Sequence, residues 1–306
     1  MKPLRKAKYY IFASDPHGTG IPWIKLVQAA QAAYPDAQTV FGGDYIDGRE
    51  YSLETVRFIE DQVQAGARAL IGNHEKLMFD FVQLDSRLWY VNGGKTTVRS
   101  FLGRGYGAET VRRRLYRSRH YRFLIGLPTM LVTEHLCFVH AGLTRQELAG
   151  NAVLRDYANF KLDLDWETHL WARQNYWYQG NDDVVFAHNH SRHTIISGHT
   201  PTMLLSGSFD QPTRYCPEQA ILPTYNYNHP EQDDLGRRPC PVRVVRYNGE
   251  PGRYFTDDGC HGGGEHFGNV CVFDDYGNLV ETFNQDPKET AYTPTKEDLS
   301  RDEKRK

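Results

Sequence analysis

The first 72 residues alternate short apolar runs with longer amphipathic segments, and this alternation constrains the fold more than any other feature. The runs "KYYIFAS", "AQTVFGG" and "ARALIG" have the length and composition of buried strands. The segments "WIKLVQAAQAAYP" and "SLETVRFIEDQVQAG" carry apolar residues at helical spacing and end at Pro35 and Gly66, with Ser52 as the predicted N-cap of the second helix. The order β-α-β-α-β predicts a layered α/β fold.

Strand patterns return in the second half of the chain. "MLVTEHLCFVHAG" predicts two short strands or a hairpin, "TIISGHT" predicts a further strand, and "NVCVFDDYGNLVETF" predicts a hairpin. Residues 201–256 are rich in Pro, Tyr, Asn and Gly, so we expect a loop-rich insertion in which substrate specificity is built. We assign residues 1–285 to one domain, and we expect the charged residues 286–306 to be disordered.

The composition narrows the classes of partner. The 306 residues, 40% of them hydrophobic, are enough to bury a substantial core. The net charge is only -2, so no broad basic field exists and nucleic acid is not an expected partner. No stretch approaches the ~20 apolar residues of a membrane span, and "YYIFA" is too short for a signal peptide. Five cysteines without a C-x-x-C pair favour a reducing, cytoplasmic setting.

Side chains able to bind a metal follow nearly every predicted strand, and a glycine accompanies each of them. Sites in open α/β sheets form beyond the carboxyl ends of the strands, so these segments are expected to converge on one crevice. The residues are Asp15 and His17 in "SDPHG", Asp44 and Asp47 in "GDYIDG", Asn73 and His74 in "GNHE", His140 in "VHAG", and His199 in "SGHT".

The types of these side chains indicate the chemistry. Carboxylate, imidazole and amide ligands suit manganese, iron or zinc better than calcium or copper(I). Six ligand residues are too many for one open ion but fit two ions that share a carboxylate, and such a pair can hold a bridging hydroxide for in-line attack at phosphorus. His74 is then free to act as the general acid, with Asp47 fixing its tautomer and Asp44 bridging the ions.

In this order, the five motifs resemble the calcineurin-like metallophosphoesterase superfamily. Within it they are most similar to the phosphoprotein phosphatase (PPP) family, including bacterial and phage members, and to symmetrical diadenosine tetraphosphatases. The resemblance implies a central β-sandwich of mixed sheets flanked by helices. It also implies the roles of the site residues: Asp15, His17 and Asp44 hold the first ion, Asp44, Asn73, His140 and His199 hold the second, His74 is the acid with Asp47 as its partner, and Asn73 and His74 also contact phosphate.

One position departs from the family pattern. The second motif usually reads Gly-Asp-x-x-Asp-Arg, and its arginine binds phosphate, whereas this chain has Gly48 there and Arg49 next. Either Arg49 reaches the phosphate or a different cation serves. The segment "HLWARQ" is similar to a later part of the family and nominates Arg173, whose fork geometry suits a phosphoryl group.

Three other segments receive structural interpretations. His188, His190 and His193 in "HNHSRH" are interpreted as surface histidines, because the two-ion site is already complete. "CHGGGEH" is interpreted as a glycine-rich turn near the rim of the site. The aromatic residues of "LWARQNYWYQG" are expected to pack the fold, with a platform for nucleotide bases as the alternative.

These observations favour a cytoplasmic serine/threonine protein phosphatase of PPP type. It would use two divalent cations, manganese first with iron or zinc as alternatives, and act on phosphoproteins or small phosphoesters. The first alternative is a symmetrical dinucleoside tetraphosphatase that holds adenine with residues 166–178 and 201–256. The near-neutral composition disfavours a nuclease or cyclic phosphodiesterase. A catalytically silent metal-binding module is a further alternative, because the arginine after Asp47 is missing.

Overall fold

The structure is a computed structural model that describes residues 4–173, 176, 178–179, 183–184, 188–202, 221–223, 242–245, 249–262 and 266–284. The predicted disordered tail, residues 286–306, and most of the predicted 201–256 insertion lie outside the described residues.

The first sheet contains the β-α-β-α-β unit predicted from the sequence. From edge to edge its strands are β13 (Leu279–Phe283), β12 (Val270–Asp274), β1 (Tyr9–Ala13), β2 (Gln38–Phe41) and β3 (Arg68–Ala69). Strands β1, β2 and β3 are parallel, while β12 runs antiparallel to β1 and forms the predicted hairpin with β13. Helices α1 (Ile21–Ala33) and α2 (Ser52–Gln64) make the two crossovers between the parallel strands.

The second sheet is also mixed. From edge to edge its strands are β4 (Met130–Val132), β5 (Leu136–Val139), β8 (Thr194–Ser197), β11 (Arg253–Phe255), β10 (Arg243–Val245) and β9 (Ile221–Pro223). Strands β5, β8 and β11 are parallel, β4 forms a hairpin with β5, and β10 is antiparallel to its two neighbours. A separate pair joins β6 (Tyr178–Gln179) and β7 (Asp183–Val184).

The alternation of side chains along β1 explains why the sheets form a sandwich. Tyr10 and Phe12 point into the space between the sheets, where both rings lie 5.8 Å from the ring of Phe138 on β5. Ile11 and Ala13 point the other way and pack in the core cluster that includes residues of α1 and α2. Because β1 is apolar on both faces, it requires a covering layer on each side. The predicted β-sandwich of mixed sheets flanked by helices is confirmed.

Five helices fill the segment between β3 and β4. They are α3 (Asn73–Leu84), α4 (Leu88–Val91), α5 (Gly94–Leu102), α6 (Ala108–Arg117) and α7 (Arg119–Leu124). Helices α8 (Arg145–Leu148) and α9 (Trp166–Trp171) follow β5. None of the helices in the described ranges is long and apolar enough to cross a membrane.

The predicted N-cap of α2 is wrong. Ser52 is the first residue of the helix, its N-cap is Tyr51, and no side chain caps this end. The Ser52 hydroxyl instead lies 3.3 Å from Thr97 Oγ1 on α5, so a contact between helices takes the place of the local cap. Among the described cysteines, Cys137, Cys260 and Cys271 are free and buried.

Candidate metal centre

All six predicted metal-binding residues meet at the carboxyl ends of strands from both sheets. Three strands of the first sheet and two of the second supply them, and every one of these side chains is buried. One ligand atom from each of Asp15, His17 and Asp44 lies within 4.8 Å of the others, and the same holds for Asp44, His140 and His199. Asp44 therefore belongs to both groups. The remaining ligand candidate is Asn73, whose Oδ1 lies 2.9 Å from His140 Nε2 and 2.8 Å from His199 Nδ1.

The backbone is strained where these side chains attach. Only seven non-glycine residues of the described ranges have a positive φ, and five of them are site residues: Asp15, His17, Asp44, Asp47 and His199. Each such conformation costs on the order of 1–3 kcal/mol and persists only where the surrounding structure enforces it. Backbone hydrogen bonds between the loops provide that enforcement, for example from Asp15 N to Gly43 O and from His17 N to Asp44 O, both 3.0 Å.

Hydrogen bonds to carbonyl oxygens fix the orientation of two histidines. His17 Nδ1 lies 3.2 Å from Ile46 O, and His140 Nδ1 lies 2.8 Å from Gly42 O. A carbonyl only accepts, so Nδ1 carries the hydrogen in both rings and Nε2 faces Asp44 Oδ2, at 3.6 Å for His17 and 3.4 Å for His140. A ring whose other nitrogen is held in this way is prepared to ligate a metal.

Burial sets the electrostatics of the centre. It raises the pKa of Asp15 to about 6, against the opposing effect of His140. Burial would also raise the pKa of Asp44, but His140 and His74 outweigh it and hold that pKa well below the usual range. Burial lowers the pKa of His199 well below its ordinary value, so this ring is neutral, as a ligand must be.

These residues fit divalent cations. Asp15 Oδ2 is buried and has no hydrogen-bond partner among the described residues. A buried carboxylate oxygen without a partner is costly unless a cation or a donor meets it. Hard carboxylate and amide oxygens beside imidazole nitrogens match the ligand preferences of manganese, iron and zinc. The Asp and His groups are therefore suited to binding metal.

His74 lies beside the ligand cluster and is held by Asp47. Its Nδ1 is 2.8 Å from Asp47 Oδ2, and its Nε2 is 4.0 Å from Asp44 Oδ2, so Nε2 faces the centre. Trp89 Nε1 donates to both oxygens of Asp47, at 2.9 and 3.1 Å, and Thr97 Oγ1 donates to Oδ1 at 2.5 Å. Burial alone would lower the pKa of His74, but Asp44 and Asp47 raise it to about 9.

Glu75 is a residue of the site that the sequence interpretation missed. Its buried carboxylate accepts hydrogen bonds from the backbone N–H groups of Gly72, Asp44 and Tyr45, at 2.8, 2.9 and 2.9 Å. These bonds fasten the Asp44 loop to the start of α3. The signal in the sequence was a Glu three positions after the glycine that precedes the helix, which is half of a capping box.

The structure separates the two predicted phosphate-binding arginines. Arg173 lies against the cluster, because its Nε donates to His199 Nε2 at 3.1 Å and its Nη2 donates to His199 O at 3.0 Å. Arg49 is directed elsewhere. Its Nε donates to Cys260 O at 3.0 Å and its Nη2 to His266 O at 2.6 Å, so its guanidinium joins these two residues.

The histidines of "HNHSRH" lie away from these residues. His188 and His190 are exposed, as predicted, and both face Glu250, with 2.5 Å between His188 Nδ1 and Glu250 Oε1. Of the "CHGGGEH" segment, the residues Cys260–Gly262 form a short 3-10 turn, and His261 is exposed. The ring of His261 lies 4.7 Å from the ring of His17, a contact that the sequence interpretation did not foresee.

Solved structures of similar fold span most of the chain at low identity. A protein provisionally assigned as a diadenosine tetraphosphatase is 15% identical with a TM-score of 0.48, over 92% of this chain and 96% of its own. A Saccharomyces cerevisiae serine/threonine phosphatase similar to human PP5 is 13% identical with a TM-score of 0.45, over 90% of this chain and 80% of its own. A cold-active protein-tyrosine phosphatase from Shewanella is 15% identical with a TM-score of 0.46, over 91% and 81%. At these values none of them indicates a substrate for this chain.

A search of curated proteins finds no match. The sequence profile of the calcineurin-like phosphoesterase family, in contrast, matches residues 9–203, which include all five motifs and both groups of metal-binding side chains. This match covers more than half of the chain. The chain therefore belongs to the calcineurin-like phosphoesterase family and is a hydrolase that acts on phosphoric esters.

Proposed function

We propose that this chain is a metal-dependent phosphomonoesterase of PPP type whose substrates are phosphoserine and phosphothreonine proteins. The observation that carries the proposal is the junction of two ligand groups at Asp44, with the His74–Asp47 pair alongside. Two adjoining groups match a pair of ions, and an imidazole outside both groups matches the acid that a phosphomonoester requires at its leaving oxygen.

Two divalent cations would occupy the ligand groups. Asp15, His17 and Asp44 would hold one, and Asp44, Asn73, His140 and His199 would hold the other. When bound, the ions lower the pKa of water and neutralise charge on the phosphoryl group. We propose manganese, with iron and zinc as alternatives, because the ligands are oxygen and imidazole donors without a thiolate.

The protein groups then position the substrate and supply the proton. His74, with hydrogen on both ring nitrogens, donates the Nε2 proton to the leaving oxygen, while Asp47 accepts from Nδ1 and holds the ring in that orientation. Trp89 and Thr97 hold Asp47 in place. Arg173 is next to His199, and its fork of N–H groups suits two phosphoryl oxygens. Asn73 and His74 line the same space and contact the phosphate as well.

One observation favours a dinucleoside tetraphosphatase as the second candidate. The side chain of Trp171 on α9 is 37% exposed, and its ring lies 6.1 Å from the ring of His199 at 86°. An exposed indole beside the centre is a platform on which an adenine base can stack. The same indole can also pack against the peptide that flanks a phosphoserine, so it does not decide between the two substrates.

The test compares Asp44→Asn and His74→Asn with the parent on p-nitrophenyl phosphate, a phosphoserine peptide and diadenosine tetraphosphate. We expect Asp44→Asn to lose at least about 10²-fold in kcat/KM on all three substrates, and His74→Asn to lose as much on the phosphoserine peptide, whose leaving oxygen needs a proton. We also expect the parent to prefer the peptide. Parent-like rates on the peptide in either variant would contradict the assigned roles. Preference for diadenosine tetraphosphate would establish the second candidate, and manganese binding without turnover of any ester would indicate a silent module.

A further inference from the structure

His261 brings a third imidazole to the space beside His17 and His74. It belongs to a short 3-10 turn, Cys260–Gly262, that the mechanism above does not use. The centroid of its ring lies 4.7 Å from that of His17 and 5.0 Å from that of His74, and one ring nitrogen from each of the three lies within 4.8 Å of the others. His261 is exposed while the other two are buried, so it forms the solvent-facing wall of the site.

The absence of a side chain at Gly48 leaves room for His261 beside the site. A Cβ atom built on Gly48 would lie 3.3 Å from the Cα, Cδ2 and O atoms of His261, closer than ordinary van der Waals contact. The φ of Gly48 is 77°, which also favours glycine. The PPP pattern has its phosphate-binding arginine at this position. Gly48 therefore has two consequences: this chain lacks the arginine at that position, and the backbone of His261 can lie close to the loop after β2.

Arg49 holds the turn in position. Its guanidinium donates to the carbonyl oxygens of Cys260 and His266, which lie on either side of His261 in the sequence. Cys260, the first residue of the turn, is fully buried. The cation that follows Gly48 thus fixes the segment that carries His261, rather than extending towards the ligands itself.

The imidazole of His261 can donate a hydrogen bond to a bound substrate. Among the described residues, its one hydrogen-bond contact is to Asn92 O. It spans 3.4 Å from Nε2, which is longer than the usual 2.7–3.2 Å. An imidazole carries at least one N–H group whether neutral or charged, so it can donate in either state. We infer that His261 donates a hydrogen bond to the phosphoryl group of the substrate, in the place of the arginine absent at Gly48. This inference rests on the proposed function.

The test uses three variants of the full chain loaded with manganese. His261→Phe keeps a ring between His17 and His74 but has no donor, and His261→Gln keeps an N–H donor without the ring. His135→Phe is the matched control, because His135 is a partly exposed histidine whose ring packs on Tyr276 instead of on the metal centre. The measurements are calorimetric binding of inorganic phosphate, KM and kcat for p-nitrophenyl phosphate, and manganese content.

We expect His261→Phe to weaken phosphate binding and raise KM by about tenfold, the effect of one hydrogen bond to a charged group. Its kcat and manganese content should change little, because the ligands remain. His261→Gln should stay within about threefold of the parent, since it retains a donor. His135→Phe should match the parent in every measurement.

Three results would overturn the inference. Parent-like phosphate binding in His261→Phe would exclude a contact with phosphate. Equally weakened phosphate binding in His261→Gln and His261→Phe would show that the binding does not depend on a hydrogen bond donated at this position. Loss of manganese in His261→Phe would make His261 a metal ligand instead. Phosphate binding needs no turnover, so a parent that binds phosphate but hydrolyses no ester would refute the proposed function and leave this comparison intact.

Discussion

Two carboxylates three positions apart in one loop show how strongly the surroundings decide what a residue does. Burial would raise the pKa of Asp44, but the nearby His140 and His74 lower it, so this carboxylate stays ionised. Burial raises the pKa of Asp47, although the hydrogen bond from His74 opposes that rise. Asp44 faces the centre, where its carboxylate would bind a cation. Asp47 faces away and holds an imidazole, with Trp89 Nε1 as a further donor to it.

This division of roles predicts how Asp47→Asn behaves. The neutral amide no longer stabilises the positive charge of a His74 ring that is protonated on both nitrogens. If its N–H group faces Nδ1, the ring carries hydrogen on Nε2 alone and would have to become an anion to give that proton up. We expect kcat/KM to fall by about 10²-fold or more on phenyl phosphate, whose leaving group needs a proton. The loss should be smaller on p-nitrophenyl phosphate, because p-nitrophenolate leaves without one. Steady-state kinetics on both esters measure the difference.

Asp85→Asn is the matched control for this experiment. Asp85 also has a positive φ, 57° against 71° for Asp47, but its carboxylate is about half exposed and pairs with Arg87. It should have parent-like kinetics on both esters. Equal losses on the two esters in Asp47→Asn would mean that Asp47 supports the fold of the loop and not the proton donor.

The sequence predicted the site residues on the strand-end loops but not the side chains that hold them. Trp89 and Thr97 lie 42 and 50 positions from Asp47, and both are on helices that the sequence pattern did not reveal. His261 is 213 positions beyond Gly48, and no local pattern links the two. Contacts of this kind depend on how helices and turns pack, which hydrophobic periodicity does not specify.

At the scale of elements, the loop after β8 passes unusually close to the loop after β1. Gly198 follows β8 and precedes His199, one of the proposed metal ligands. A Cβ atom built on it would overlap Asp15 Oδ2 and would lie 2.5 Å from Ser14 Oγ. The loop after β8 therefore reaches the loop after β1 only because this residue has no side chain. The φ of Gly198 is not positive, so the constraint is one of space.

Gly198→Ala is accordingly expected to separate metal binding from folding. The added methyl group pushes Asp15 away from His199, so manganese content should fall well below that of the parent and activity should fall with it. Circular dichroism should remain parent-like, because the strands themselves are untouched. Gly107→Ala is the control, because a Cβ atom at this position meets nothing within 4 Å and the φ of Gly107 is -70°. This variant should retain its manganese. Full manganese content in Gly198→Ala would contradict the steric argument.

The elements that the sequence predicted share a strong local pattern. Strands β1, β2 and β8 lie within short, mostly apolar runs, and each lies where the sequence placed it. Helix α6, with the sequence "AETVRRRLYR", was not predicted, because only Val111 and Leu115 of its residues are buried. The cap assigned to Ser52 failed for a related reason, since its hydroxyl meets Thr97 on another helix instead of its own backbone.

At the scale of the whole molecule, the centre lies where two sheets meet, and separate contacts hold the loops of each sheet in place. The order of the motifs can be read from the sequence, and the family resemblance implied a sandwich of sheets. Strand patterns do not show which strands pair, so only the structure assigns each strand to its sheet. On the side of the second sheet, the residue after His140 is held by a buried ion network. Ala141 N donates to His169 O at 2.9 Å, while His169 Nδ1 and Nε2 face Asp163 and Glu147, at 2.6 and 3.0 Å.

This network predicts how stability depends on pH. Burial would lower the pKa of His169, but its hydrogen bonds to Asp163 and Glu147 raise it to about 9. A raised pKa in the folded state stabilises the protein below the unfolded value of about 6.5, and the contribution is lost as pH rises through about 9. We expect His169→Gln to lower the free energy of unfolding by about 3 kcal/mol at pH 6, with the deficit shrinking towards pH 9.5. Urea unfolding with a chelator present removes the effect of metal binding, and taking the difference between the variant and the parent cancels the other titrating groups. A deficit that stays constant from pH 6 to 9.5 would show that His169 acts through packing and not through its charge.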